Sequence, residues 1–229
     1  MVSAVIVAGG KGERMVYDIP KQYIDIGGRQ ILSITLEAFE NCDFVDEIVL
    51  VVPENDIDFC LKNIVERYSF RKVKKIVKGG SSRQKSVYNG LLECNPLTDI
   101  VIIHDGVRPF ISSELIKKSV EGAKAYGACA VGVYVKDTIK IVDEEKFILS
   151  TPNRDNLIAI QTPQTFKYDL ILKAHEIAKK ENIVSTDDTA LVERMGYKVK
   201  IAEGSYYNLK ITTIEDIVIA RVIYESLKA

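Results

Sequence analysis

Short runs of consecutive apolar residues alternate along the chain with stretches in which apolar residues recur every three or four positions. Residues 2–8 form the first run, residues 48–52, 100–103 and 129–135 repeat it, and 73–77 read as a further strand with lysines interleaved. A nearly unbroken apolar run of that length fits a strand covered on both faces. Between the runs, residues 31–39, 56–68 and 82–92 carry helical spacing, with Ile31, Ile34, Ala38 and Phe39 toward one side of the first. Another helix starts at Ser112 and carries Leu115, Ile116, Val120 and Ala123. The alternation predicts an α/β fold with a mostly parallel sheet flanked by helices.

The rhythm breaks after Val135. Residues 136–156 mix β-like pieces with turn residues, as in Asp137-Thr138-Ile139-Lys140 and Asp143-Glu144-Glu145-Lys146. They read as a hairpin arm standing off the main sheet. An arm with so little core of its own is expected to order against a second subunit, which predicts a homodimer. Regular structure returns at 157–161, followed by helices at 168–180 and 187–195 and a strand pair within 197–211. The closing helix begins with Thr212-x-x-Glu215, a capping-box pattern. With no repeat, low-complexity stretch or linker, residues 1–229 read as one domain.

The first strand runs into Gly9-Gly10-Lys11-Gly12-Glu13-Arg14-Met15, followed by Pro20-Lys21-Gln22. Glycines at a strand end let the backbone approach a phosphate chain with several N–H groups aimed at it. Arg14 and Lys21 add fixed positive charge. The pattern points to a nucleoside triphosphate site. It is not a Walker loop. It is not a dinucleotide fingerprint either, because Met15 stands where the third glycine would be.

Composition narrows the partners. Thirty-one Lys and Arg nearly balance thirty-two Asp and Glu, which gives no reason to expect nucleic acid or an acidic membrane. The basic run 71–78 has interleaved apolar residues and reads as an edge strand with lysines on its wet side. Cys42, Cys60, Cys94 and Cys129 are widely spaced, which argues against a zinc or redox motif and for a reduced cytoplasmic protein. No apolar run approaches the ~20 residues of a membrane helix. The N-terminal apolar stretch lacks a basic leader and reads as a strand, not a signal peptide.

Polar residues collect where the expected strands end, the place where parallel α/β sheets bind ligands. The loops are the first glycine loop, Gly79-Gly80-Ser81-Ser82-Arg83 with Ser86, His104-Asp105-Gly106-Val107-Arg108-Pro109, and Lys136-Asp137-Thr138. All four are expected along one rim. Asp105 is the candidate magnesium ligand, since magnesium on a triphosphate takes only one or two protein carboxylates. Arg108, three residues on, is placed to hold a substrate phosphate. Gly80 and Ser86 suit a nucleobase edge. His104 precedes Asp105 on a strand and so points to the opposite face, a structural role. His175 sits in an apolar helical pattern and also reads as non-catalytic.

These segments together resemble the methylerythritol phosphate cytidylyltransferases. The resemblance spans nearly the whole chain. It rests on Ala8 to Met15, Pro20-Lys21-Gln22-Tyr23, Gly79-Gly80-x-x-Arg83-x-x-Ser86-Val87, His104 to Pro109, Asp137-Thr138-Ile139-Lys140, Gln161-Thr162-Pro163-Gln164, Thr186-Asp187-Asp188 and Asn208-Leu209-Lys210-Ile211-Thr212. It implies a Rossmann-like, glycosyltransferase-A-like nucleotidyltransferase fold with a protruding β-arm. It implies transfer of CMP from CTP to 2-C-methyl-D-erythritol 4-phosphate, with release of pyrophosphate, in the non-mevalonate isoprenoid pathway. The implied phosphate loop includes Ala8, Gly9, Gly10 and Gly12. Arg14 and Lys21 would stabilise charge on the α-phosphate, and Gly80 and Ser86 would contact cytosine. Asp105 would meet magnesium and substrate. Arg108, Thr138, Thr162 and Thr186 would line the sugar-phosphate pocket. Arg154 would reach across a dimer interface to grip the acceptor phosphate, and Lys210 would position it from the other side.

Gly9 and Gly106 stand where many relatives have alanine, and both changes are mild. Tyr207 precedes Asn208 where some members carry an aspartate, which leaves a second metal carboxylate open. Segments 151–155 and 104–110 also resemble the sister ribitol phosphate cytidylyltransferases, whereas Lys140 and Thr186-Asp187-Asp188 lean toward methylerythritol phosphate. The alternatives are therefore ribitol 5-phosphate as acceptor or, in another class, a non-catalytic nucleotide-binding subunit.

Overall fold

The computed structural model describes residues 1–9 and 19–228. Strand β1 (Val2–Val7) lies inside a seven-stranded sheet, paired in parallel with β2 (Glu47–Val52) on one side and β4 (Ile100–Asp105) on the other. Strand β3 (Val73–Lys78) continues the sheet in parallel beyond β2 and forms one edge. On the other side, β8 (Ile158–Lys167) runs antiparallel between β4 and β5 (Ala128–Tyr134). Strand β9 (Lys200–Glu203) pairs in parallel with β5 at the far edge. Every strand of this sheet except β8 therefore points its carboxyl end toward one rim. The chain order reverses at β1, between β2 and β4, and such a switch point leaves a crevice outside the strand ends.

Burial follows the apolar runs. Strands β1, β2 and β4 are buried at every position, as expected for parallel strands covered on both faces. Even-numbered residues of β1 and β4, such as Ala4, Ile6, Ile100 and Ile102, pack with α1 (Ile31–Glu40) and α4 (Ser113–Tyr126). Odd-numbered residues, such as Val5, Val101 and Ile103, pack with α3 (Arg83–Leu92), α5 (Tyr168–Lys180) and α6 (Thr189–Arg194). A third apolar cluster docks α7 (Ile214–Lys228) onto Ile24, Ile26, Val107 and Phe110. The lysines of β3 lie on the exposed side of that edge strand, where Lys74, Lys75 and Lys78 discourage strand addition.

The arm forms as a separate two-stranded antiparallel sheet of β6 (Ile141–Val142) and β7 (Ile148–Ser150). Its apolar side chains Ile141, Val142, Phe147, Ile148 and Leu149 are exposed. Among the described residues, no helix is long and apolar enough to cross a membrane.

Four expectations change. The strand beginning near residue 157 does not stop at Gln161; it continues through the cis Thr162–Pro163 bond to Lys167, because antiparallel pairing with β4 begins at Gln164 while pairing with β5 resumes there. The pair expected within 197–211 is one strand, β9, followed by a turn in which the Asn208 amide donates to the Ser205 carbonyl. The helix expected over 56–68 is α-helical only at α2 (Ile57–Cys60) and π-helical over Leu61–Glu66. The capping box at α7 is shifted by one residue. Asp216, not Glu215, reaches back, accepting from the Thr213 and Thr212 amides at 2.8 and 2.7 Å. Helix α7 starts at Ile214, so Thr213 is the residue in cap position and Asp216 the third helical one.

Candidate active site

The tips of β1 and β4 are drawn together before any functional side chain is placed. The Gly106 amide donates to the Val7 carbonyl at 2.8 Å. A Cβ at Gly106 would sit 2.9 Å from Ala8 Cβ and 3.1 Å from Leu32 Cδ1, so a small residue is needed for the approach. The tip of β3 joins them. The Gly80 amide donates to Ser86 Oγ at 3.0 Å, and Ser86 Oγ donates to the Ser82 carbonyl at 2.9 Å. A Cβ at Gly9 would lie 3.6 Å from the same Ser86 oxygen. Ala8, Gly9, Gly80 and Ser86 thus meet at one end of the crevice.

At the other end stands Asp105, the last residue of β4. As an odd-numbered strand residue it points to the α3 side of the sheet, which brings it to Arg83 at the start of α3. Arg83 Nε donates to Asp105 Oδ1 at 3.0 Å. Lys210 Nζ lies 2.9 Å from Asp105 Oδ2, and Arg108 Nε lies 3.5 Å from the same oxygen. Burial opposes ionisation of Asp105, but Arg83, Lys210 and Arg108 outweigh it and hold the carboxyl far below the usual range. Burial lowers the Arg108 guanidinium, with partial compensation from Asp105. Arg108 Nη1 is fixed by the Asn208 carbonyl at 2.9 Å, and the Asn208 side-chain amide donates to the Thr162 carbonyl at 2.8 Å.

His104 faces the other way and packs its ring on Phe39, with centroids 5.0 Å apart. Burial pushes its pKa down to about 4, so the ring is neutral near pH 7. The Arg108 carbonyl can only accept, so Nε2, 3.1 Å away, carries the proton. Nδ1 then accepts from Thr162 Oγ1 at 3.1 Å, and that oxygen accepts from the Asp105 amide at 3.1 Å. The histidine therefore ties Arg108, Thr162 and Asp105 together, the structural role expected of it.

The other residues of the expected site fall into four groups. Gly10, Gly12 and Arg14 lie outside the described residues. Lys21 opens a short 3-10 turn at Lys21–Tyr23, anchored by Tyr23, whose hydroxyl donates to Asp56 at 2.8 Å. Thr138 and Arg154 are exposed on the arm, where Arg154 Nη1 donates to the Lys136 carbonyl at 2.9 Å. Thr186 is exposed on a segment latched from both sides. Gln84 Oε1 accepts from the Ser185 amide at 3.0 Å, and Gln164 Oε1 accepts from the Asp188 amide at 3.0 Å.

Arg83, Asp188 and Asn208 carry no role that local sequence chemistry assigns. Arg83 and Asp188 lay within quoted motifs, but their pairing is a long-range contact that no local spacing displays. Magnesium takes few protein ligands and keeps water and phosphate oxygens. Among the described residues, no group of three or more His, Cys, Asp or Glu forms a cation cage. A single carboxylate, Asp105, facing the crevice suits an ion that travels with a triphosphate.

A mostly parallel α/β sheet, a glycine-bearing tip on its first strand and a cation-ringed carboxylate at the switch point define a nucleotidyltransferase. Comparison with known proteins is more particular. The family described as IspD, 2-C-methyl-D-erythritol 4-phosphate cytidylyltransferase, matches residues 2–226. A protein of that name from Clostridium botulinum is 53% identical over 219 residues, covering 96% of this chain and 97% of the relative. One from Caldanaerobacter subterraneus is 48% identical over 221 residues, covering 96% and 97%. The crystal structure of 4-diphosphocytidyl-2C-methyl-D-erythritol synthase from Anaerococcus prevotii superposes with a TM-score of 0.87 at 38% identity, covering 98% of this chain and 96% of that one. The chain belongs to the 2-C-methyl-D-erythritol 4-phosphate cytidylyltransferase family.

Proposed function

We propose that this chain transfers the CMP moiety of CTP to 2-C-methyl-D-erythritol 4-phosphate and releases pyrophosphate, a step of isoprenoid synthesis. The observation that carries the reading is the Asp105 carboxylate held by Lys210, Arg108 and Arg83 in a crevice whose other end is formed by Gly9, Gly80 and Ser86. Family membership supplies the identity of the two substrates, and the relatives' names favour methylerythritol phosphate over ribitol phosphate.

The nucleophile is an oxygen of the acceptor's phosphate monoester, which attacks the α-phosphorus of CTP as pyrophosphate leaves. Its second pKa is ~6, so it is largely ionised near neutral pH and needs no general base. That agrees with a buried, neutral His104 whose two ring nitrogens are taken by the Arg108 carbonyl and Thr162 Oγ1. The barrier lies in bringing two anions together. Lys210 and Arg108 face the acceptor phosphate, while Arg14 and Lys21 offset charge on the α-phosphate and the bridging oxygen. Gly80 and Ser86 hold the cytosine edge, with Ala8, Gly9, Gly10 and Gly12 along the phosphates. Thr162, Thr138 and Thr186 bind the polyol. Asp105, together with the triphosphate oxygens, would hold magnesium, which supplies further charge neutralisation when bound.

Arg154 acts in the partner's site within a homodimer built through the arm at 136–156. Its exposure, and the exposed apolar side chains of β6 and β7, support that reading. Four buried cysteines outside any disulfide suit the reducing cytoplasm. Pyrophosphate release from CTP, measured with methylerythritol, ribitol and erythritol phosphates in parallel, tests the assignment. Turnover confined to the first is expected. Preference for ribitol phosphate, or CTP binding without turnover on any acceptor, would overturn it.

A further inference from the structure

Behind Asp105 lies a second acidic residue that does not face the crevice. Asp188 is 1% exposed. Its Oδ2 accepts from Arg83 Nη1 at 2.7 Å, and its Oδ1 lies 3.0 Å from His175 Nε2. Arg83 thus spans two carboxylates, Asp105 with Nε and Asp188 with Nη1. Arginine suits this because its planar fork presents donors in fixed directions, whereas a lysine ammonium is a point charge on a flexible stem.

Asp188 occupies the N-cap position of α6, yet its side chain makes no capping bond. The neighbouring Asp187 takes that work, with Oδ1 accepting from the Ala190 amide at 3.1 Å and Oδ2 from Thr189 Oγ1 at 2.6 Å. Two adjacent acids therefore divide between a local duty and a long-range one. Burial alone would raise the Asp188 carboxyl, but Arg83 and His175 together hold it below the ordinary range.

The geometry points to Arg83 as a positioning residue of the cytidylyl transfer, aimed by the buried Asp188–His175 pair so that it fixes one oxygen of Asp105 and leaves the other to the crevice. The inference rests on the reading that Asp105 faces the substrates. In this arrangement Arg83 commits Nε to Asp105 and Nη1 to Asp188, so the two carboxylates set its orientation. Its task is to stop Asp105 from rotating when Lys210 is drawn toward an incoming phosphate. Lys210 is the partner free to respond, since its side chain is 36% exposed against 7% for Asp105. With Arg83 in place, the carboxylate keeps its orientation through the catalytic cycle.

Arg83→Lys keeps the charge and removes the two-carboxylate bridge. The expected result is an unchanged CTP dissociation constant and acceptor KM, with kcat lower by about tenfold to a hundredfold, the cost of a small misplacement at the reacting centre. Asp188→Asn should lower kcat to a similar degree and lower the acceptor KM, because one negative charge is removed beside Arg83. The double variant should lose little more than either single one, since both act through one bridge. Should Asp188→Asn fail to fold, Arg83→Lys decides alone. Wild-type kcat in Arg83→Lys, or additive losses in the double variant, would overturn the inference. Asp105→Asn separates the two levels. Full turnover in that variant would refute the role of Asp105 itself, whereas an inactive Asp105→Asn beside a fully active Arg83→Lys would refute only the positioning role.

Discussion

The ammonium of Lys210 meets the carboxylate of Asp105 at 2.9 Å across the mouth of the crevice. The pair is asymmetric: the aspartate is buried and held by two arginines, and the lysine is partly exposed. An arriving phosphate therefore competes for the lysine and not for the aspartate. Lys210→Met should lower kcat/KM for the acceptor by ~100-fold, the scale of one lost electrostatic stabiliser. CTP affinity should stay as in the wild type. Steady-state kinetics with CTP saturating gives the answer, and a purely CTP-side defect would contradict the placement.

Lys21 opens a turn pinned by the Tyr23–Asp56 hydrogen bond, and the family resemblance assigns it to the CTP phosphates. Lys21→Ala should reduce kcat by ~100-fold with little change in acceptor KM. Rapid-quench measurement of the single-turnover rate is the direct check. An unaltered rate would remove Lys21 from the chemistry.

Arg154 projects from an exposed arm. If it serves the partner's site, Arg154→Ala should weaken acceptor capture more than CTP binding. Inactive Arg154→Ala and Lys210→Met chains, mixed under conditions of subunit exchange, should then regain activity, because one site of the mixed dimer is intact. No recovery from a verified mixed dimer would place Arg154 in its own chain's site.

The neutral, buried His104 makes stability depend on pH. Its pKa falls from 6.5 to about 4 on folding, so the unfolded chain binds the proton more readily between those values. Falling pH therefore favours unfolding across that window, and the contribution present at pH 7 is gone below about pH 4. The loss amounts to about 3 kcal/mol. Urea unfolding at several pH values should show this slope in the wild type and a shallower one in His104→Gln. Parallel slopes would show that His104 is not its source.

Helix α3 approaches the sheet through Gly90. A Cβ there would lie 2.4 Å from Val5 Cγ1 and 2.8 Å from Val51 Cγ2. Helix propensity alone would make Gly90→Ala stabilising by about 1 kcal/mol. Overpacking of a close-packed core costs typically ~1–3 kcal/mol, so net destabilisation is expected. A raised thermal midpoint would mean that α3 shifts more freely than this packing implies. Because α3 also carries Arg83 and Ser86, a shift of the helix would lower turnover as well.

The periodicity of the chain determined the layered α/β architecture, since buried parallel strands must be apolar on both faces and helices on one. It also placed Asp105 at the end of β4 and Gly80 just past β3, with Ser86 following on α3, and the two-residue alternation turned His104 away from Asp105. Local chemistry marked the edge strand by its lysines and the arm by its turn residues. Other features had no local signal. The antiparallel path of β8 past Pro163 depends on which neighbours the strand finds in the sheet. The shift of the α7 cap depends on where the helix docks. Above all, the bridge from His175 through Asp188 and Arg83 to Asp105 joins residues from four separate segments. Their charges are compensated only once folding has removed water and brought them within hydrogen-bonding distance, so tertiary structure alone decided that Asp188 would aim Arg83 instead of capping its own helix.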